Sequence, residues 1–350
     1  MSAAAALWDR LATQGFVAGT LPTGDGERAP WYVTAMVGTA AWIAALFLLV
    51  FIGSLTYALV HTLDAPLPIG VAICVPAVVL LQMRASGLFL RQLAVAMSLA
   101  GQALVVFGLT DHHLRDPLAW LAVALFEAAL VAASRETVHR ALAALACLVA
   151  LRVAALTAGA PWLVAPALLA GVLALHLAET RWPVREALWS PLWAALGLSV
   201  LMLVPFTFVD SIFWYGDRIA PSVLLTRSGN GLVGLLWLAV VGAVAARSGI
   251  AMRSRAGALT AIVALAVAAC AWRIPMLVVS LALLLVAFAS GRRVLAGLAV
   301  LAVLGALAQA YYSLQWTLLA KSAALAATGA VLLLASAAAR FLAQGEDDDA

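Results

Sequence analysis

Residues 309–335 read QAYYSLQWTLLAKSAALAATGAVLLLA: the end of one hydrophobic helix, a tyrosine pair, a short turn, and a second apolar run that continues to Ala339. A run of that length, from Trp316 onward, is long enough to cross the hydrocarbon core of a bilayer, which takes about 20 residues of helix. It carries one charge, Lys321, the only lysine in 350 residues. That lysine lies about five residues, roughly 8 Å, inside the run. A charge at that depth calls for a partner, for water, or for a membrane surface to which the side chain can snorkel. Thr317, Lys321, Ala324 and Thr328 recur at spacings of four, three and four, one small or polar stripe that should face protein.

The rest of the chain has the same character. Hydrophobic residues make up 66% of it and charged residues only 10%, with a mean hydropathy of +1.09, outside the range of soluble globular chains. With no water in a bilayer core, the spanning segments must satisfy their own backbone groups. The expected fold is therefore all-α, a polytopic transmembrane helical bundle. The alternating pattern of a membrane barrel is absent. The net charge of +4 comes without a basic cluster, the densest pairs being Arg253/Arg255 and Arg292/Arg293, so nucleic acid is not an expected partner. Cys74, Cys147 and Cys270 sit in separate apolar segments and read as small packing residues.

Three parts follow: a cytoplasmic or interfacial segment over 1–30, a multi-pass domain over 31–342, and an acidic, disordered tail over 343–350. No cleaved signal peptide is expected. In the first part Leu7, Trp8 and Leu11 share one face of a short helix from Ala3 to Gln14. Trp31 and Tyr32 then stand as interfacial anchors. Twelve spans are expected, at 32–60, 66–82, 88–109, 117–134, 138–157, 162–178, 190–208, 229–246, 257–271, 275–290, 294–312 and 316–339, with ten if a short pair such as 257–290 enters only partly. The connections are short and marked by Pro or Gly, as at Pro117, Gly159/Pro161 and Pro275. With twelve spans, fourteen arginines fall on the side of the termini, from Arg10 to Arg340. Only Arg115, Arg218, Arg227 and Arg273 fall on the other, and this asymmetry puts both termini in the cytoplasm. The two halves of the chain do not align in their polar positions, so no internal repeat is expected.

The candidate site residues are the polar groups at membrane depth. Glu127 lies mid-span between Ala124 and Ala128, whose small side chains suit a close helix contact. Arg152 lies toward the outer end of the fifth span, Gln102 is in register with Ser98 on the third, and His176 is near the inner end of the sixth. Glu127, Arg152 and Lys321 share middle or outer depth, so they could form an ion or proton relay or hold an anionic headgroup. The plainer reading is an ion pair that fixes helix register. In the outer loop Val209–Ser228, Asp210 and Asp217 are seven residues apart and could act as acid and base or bind a cation. The plainer reading there is an interfacial loop with an aromatic belt. Adjacent His112 and His113 fall short of the three or four convergent ligands of a metal site, so no metal and no cofactor are expected. Walker A, GxGxxG, HExxH and GxSxG patterns are absent.

The run ALWDRLATQGFVAGTLPTG near the N-terminus, the following PWYVTAMVGTAAWIAALFLLVFIG, and the final YYSLQWTLLAKSAALAATGAVLLLA together resemble the bacterial polytopic membrane proteins known as domain of unknown function 4401. The resemblance runs from about Leu7 to Leu342 and is carried mainly by the two ends. Gln315 and Trp316 depart from it, standing where an acidic or small polar pair is expected. What the resemblance implies is an inner-membrane protein of a family without assigned activity, encoded beside other membrane proteins, one of them named for a Gly-Asp-Tyr motif. No catalytic residues transfer from it. The leading expectation is a non-enzymatic component of an envelope membrane complex, with membrane lipid and neighbouring membrane proteins as partners. The alternatives are a secondary transporter using Glu127, Arg152 and Lys321, and a lipid-handling enzyme using Asp210 and Asp217.

Overall fold

Short turns divide the chain into helices, and no strand occurs among the described residues. The computed structural model describes residues 3–14, 66–83, 88–111, 113–182, 185–213, 223–251, 253–313 and isolated positions at 32–54, 319 and 322; for 3–7, 88, 203–213 and 313 the description is of backbone alone. In chain order the helices are α1 (Ala3–Thr13), α2 (Pro66–Gln82), α3 (Leu88–Thr110), α4 (Pro117–Ala133), α5 (Thr137–Thr157), α6 (Val164–Arg181), α7 (Glu186–Phe213), α8 (Val223–Arg247), α9 (Arg255–Cys270), α10 (Pro275–Ala289) and α11 (Arg293–Ser313). A 3-10 turn, Pro161–Leu163, precedes α6. Helices α2 to α11 coincide with ten of the apolar runs; the other two, 32–60 and 316–339, lie largely outside the described residues.

The sequence sets these boundaries by ordinary means. Asp116 accepts a hydrogen bond from the Leu118 amide at 2.9 Å, and Pro117 opens α4 where its missing N–H costs nothing. Ser254 caps α9 through the Gly257 amide at 3.0 Å. Gly291 ends α10 at φ +67°, a left-handed turn that glycine adopts without strain. The Arg292 amide then bonds back to Ala287 O at 3.0 Å, which fixes where that arginine emerges. Two lengths differ from expectation. Helix α7 continues to Phe213, so Asp210 lies on a helix and not in a loop, and α8 begins at Val223.

Packing divides by residue size. Helices α2 and α3 approach so closely that a Cβ on Gly101 would meet Cys74 Sγ at 2.6 Å and Gly70 O at 2.7 Å, while one on Gly108 would meet Leu67 N at 2.7 Å. Small residues permit this contact, as in other membrane helix pairs. Helices α4 and α5 form the next hairpin, with Cys147 Sγ donating to Ala124 O at 3.3 Å. Beyond them, α10 carries buried residues on nearly every face, from Met276 to Ala287, and is enclosed by α6, α7, α8, α9 and α11. Leu169, Trp193, Val233, Leu283 and Ala299 form the centre of this second core.

The contacts between turns sort them onto two ends. At one end Gln82 donates to Ala133 O, Arg140 donates to Ala187 O, and Arg292 reaches Glu179 and Glu186. At the other, Gly108 abuts Leu67, Gly229 abuts Trp162, and Asn230 donates to Trp272 O at 3.2 Å.

The outer surface is apolar. Leu118, Leu125, Phe288 and Val294 are each more than two-thirds exposed. Among the described residues, five segments are long and apolar enough to cross a membrane: Phe89–Thr110, Thr137–Thr157, Pro161–Arg181, Val223–Arg247 and Arg293–Tyr312. Helices α2, α4, α9 and α10 are equally apolar but shorter.

Candidate functional site

Polar side chains gather at two places among the described residues. The first is the interior of α2–α5. Ser98 on α3 lies one turn below Gln102, so both project toward the same neighbours. Gln102 Nε2 donates to Ser98 Oγ at 3.2 Å, and Ser98 Oγ is 2.7 Å from His139 Nε2 on α5. Gln102 Nε2 also approaches His139 Nε2 at 3.3 Å. From α2, the Cys74 thiol donates to Ser98 O at 3.4 Å. All four side chains are buried. His139 enters this core from the first turn of α5, where its amide donates to the Glu136 carboxylate that caps the helix.

Glu127 belongs to the same bundle. It is fully buried on α4, and neither carboxyl oxygen has a hydrogen-bond partner. Its helix packs against α2 and α5, with Leu130 meeting Val78 and Ala143, and Val123 and Ala124 meeting Ala150. A buried carboxyl without a partner costs about 1–3 kcal/mol even when neutral, and several as an anion. Inside an apolar helix such a group is rare. His139 Nδ1 is likewise buried without a partner.

At one mouth of this bundle, Leu81, Gln82, Met83, Arg91, Arg135, Glu136 and Thr137 line a cleft of about 280 Å³. Glu136 thus borders the cleft and, through its cap, touches the backbone of His139.

The second cluster joins α6, α7 and the turn before α11. Arg292 Nη2 donates to Glu179 Oε1 at 2.8 Å and to Glu186 at 2.9 Å. Glu179 Oε2 accepts from the Trp193 indole at 2.8 Å. Burial works against the Arg292 charge, but the two carboxylates outweigh it and hold the guanidinium above its ordinary value. His176 is buried one turn before Glu179, with both ring nitrogens unpartnered. The group ties α6, α7 and the turn before α11 at one end of the bundle, where Arg292 and Trp193 also line a cleft of about 340 Å³ with Ser190, Ala194 and Leu298.

The sequence-predicted residues distribute as follows. Glu127 is buried in the same bundle without a hydrogen-bond partner, and Gln102 bonds Ser98 in the predicted register. Arg152 faces a different neighbourhood, a cleft shared with Leu163, Val164, Leu168 and Ser199 of the next helices. Lys321 and its stripe, Asp217 and His112 lie outside the described residues, and for Asp210 only the backbone is described. Cys74 is buried and Cys147 half-buried, whereas Cys270 is exposed at the end of α9. No three His, Cys, Asp or Glu side chains converge as a metal site among the described residues. Sequence reasoning missed His139, which sits at the edge of its span and reads as a boundary residue. It also missed the Arg292 clamp, whose members are more than a hundred positions apart.

No curated protein and no solved structure matches the chain. A family model does match it, over residues 30–340, and the chain belongs to that family, described as Domain of unknown function (DUF4401).

Proposed function

We propose that the chain is a multi-pass integral protein of the bacterial inner membrane, with both termini cytoplasmic, and that it serves as a non-enzymatic component of an envelope membrane complex. The observation that carries this reading is the apolar exterior, on which large side chains such as Leu125 and Val294 point away from both cores. Such a surface requires lipid or other membrane helices around it. The sorting of turns onto two ends supports the sidedness. Arg91, Arg135, Arg140 and Arg292 fall at the end that the charge asymmetry assigns to the cytoplasm. Extraction of the native protein in a mild detergent tests the complex: stoichiometric membrane partners are expected, and a chain that isolates alone, with lipid only, counts against it.

A second reading is favoured by one observation, the enclosed and unpartnered Glu127 carboxyl. It makes the protein a proton-coupled carrier in which Glu127 takes up and releases the coupling proton. Under this reading Glu127→Gln abolishes the proton-coupled flux with expression intact, whereas loss of folding would make Glu127 a structural residue. Arg152 and Lys321 enter this reading as charges at neighbouring depth.

A further inference from the structure

We propose that the cleft at the mouth of α2–α5 is a binding site for the phosphate of an anionic phospholipid, held by the guanidinium groups of Arg91 and Arg135. The proposal rests on the reading of the chain as a membrane protein, and it holds whether or not that protein belongs to a complex.

Residues from separate elements converge on this cleft. Arg91 comes from the first turn of α3, Arg135 from the turn between α4 and α5, and Thr137 from the first position of α5, while Leu81 and Met83 at the end of α2 add an apolar wall. The space, about 280 Å³, is large enough to admit a lipid phosphate. Both arginines are exposed, and neither forms an ion pair or a hydrogen bond with another described residue. Two like charges lining one cleft repel each other, and an anion between them turns that repulsion into attraction. Guanidinium groups hold phosphate oxygens through paired N–H bonds, and the Thr137 hydroxyl can donate a further one.

The turn that carries Arg135 is braced on both sides. The Ser134 amide donates to Leu130 O at 2.9 Å, Arg140 donates to the carbonyls of Val131 and Ser134, and Glu136 caps α5 at the His139 amide. Gln82 donates to Ala133 O at 3.1 Å and locks the end of α2 to the same turn. A backbone already fixed loses little freedom when a ligand binds. Glu136 is the one carboxylate lining the cleft among the described residues, and its bond to the His139 amide commits it to the helix end. Against it stand Arg91, Arg135 and, behind the turn, Arg140, so the balance here is basic. Beside these residues in the chain, Met83, Leu90 and Val138 expose apolar side chains suited to the acyl region of the same lipid. Basic pockets between membrane helices on the cytoplasmic side take anionic headgroups in this way. As signals of sidedness alone the two arginines would need only to lie at this end of the bundle, and nothing in that role brings them to one cleft.

The test is native mass spectrometry of the full chain, released from detergent micelles and titrated with phosphatidylglycerol, phosphatidylethanolamine or inorganic phosphate. The first phosphatidylglycerol should bind the wild type about tenfold more tightly than phosphatidylethanolamine does. Arg91→Gln and Arg135→Gln should each weaken it about fivefold, and together about thirtyfold. Circular dichroism verifies that each variant remains helical. Arg253→Gln with Arg255→Gln removes the same charge at the start of α9 and should leave the affinity within about twofold. Wild-type affinity in the Arg91/Arg135 double variant, an equal loss in the Arg253/Arg255 variant, or equal binding of the two lipids overturns the site. Inorganic phosphate that displaces the lipid, and does so only while Arg91 and Arg135 are present, makes the cleft a free-phosphate site and overturns the lipid assignment. Each of these results leaves the membrane reading in place, whereas a chain that stays folded and monodisperse without detergent or lipid overturns that reading and the site with it.

Discussion

Replacing Arg292 with Ala tests how the second half of the molecule is held together. The two legs of the clamp differ in setting: Glu179 has a side chain 13% exposed, whereas that of Glu186 is 59% exposed. The enclosed leg, at 2.8 Å, is a charge-assisted bond whose loss leaves a largely buried carboxylate with only the Trp193 indole as donor. That loss should cost about 2–3 kcal/mol. The solvated leg should contribute no more than about 0.5 kcal/mol. The expected order is therefore Arg292→Ala most destabilising, Glu179→Gln intermediate, and Glu186→Gln near neutral. Mixed-micelle unfolding, followed by tryptophan fluorescence, gives the three values together with the Arg292/Glu179 double-mutant cycle, whose coupling should be about 1.5–2 kcal/mol. Equal losses for Glu186→Gln and Arg292→Ala, or a coupling near zero, would refute this division.

Four further outcomes follow from the packing and the capping. Gly101→Leu should cost more than about 3 kcal/mol, because its Cβ would lie 2.6 Å from Cys74 Sγ and 2.7 Å from a backbone oxygen that cannot yield. Gly231→Ala, with nothing within 4 Å of the added carbon, should instead be neutral or stabilising by up to about 1 kcal/mol; thermal unfolding in detergent separates the two. Trp237→Phe should lose about 1 kcal/mol, since the buried bond from the indole N–H to Ala264 O at 2.9 Å is lost while that carbonyl keeps its place in the α9 helix ladder; the same unfolding assay reads it. Asp116→Ala should cost about 1 kcal/mol through loss of the α4 cap, and hydrogen exchange should show it as faster exchange confined to the first turn of that helix.

The helices were legible because each is an apolar run of nearly fixed length bounded by Pro, Gly or a capping side chain, signals that act within a few residues. Pro117 and Pro275 open helices where they were expected, and Gly159 and Gly291 close them at φ +72° and +67°. The length of α7 was not legible, because the run before Phe213 contains Asp210, and a charge near a helix end does not say on which side of the boundary it falls. The site was legible in part. Glu127, Gln102 and Ser98 stand out by polarity within apolar runs, and the spacing of four between Ser98 and Gln102 predicts their bond. His139 does not stand out, since three residues from a turn is where a histidine is unremarkable; only the approach of α3 to the first turn of α5 gives it a partner. Arg292 reads in the sequence as a sidedness signal, which is compatible with its clamp, but no local pattern ties it to carboxylates on α6 and α7.

The account depends most directly on the chain crossing the membrane many times with alternate turns on opposite sides. Single cysteines placed at Gln14, Arg135, Arg253, His113 or Arg273, in a chain whose Cys74, Cys147 and Cys270 are replaced by alanine, can be challenged with a membrane-impermeant maleimide on intact spheroplasts. The account predicts labelling of His113→Cys and Arg273→Cys from outside, and labelling of Gln14→Cys, Arg135→Cys and Arg253→Cys only after permeabilisation. Labelling of both sets from the same side would contradict it.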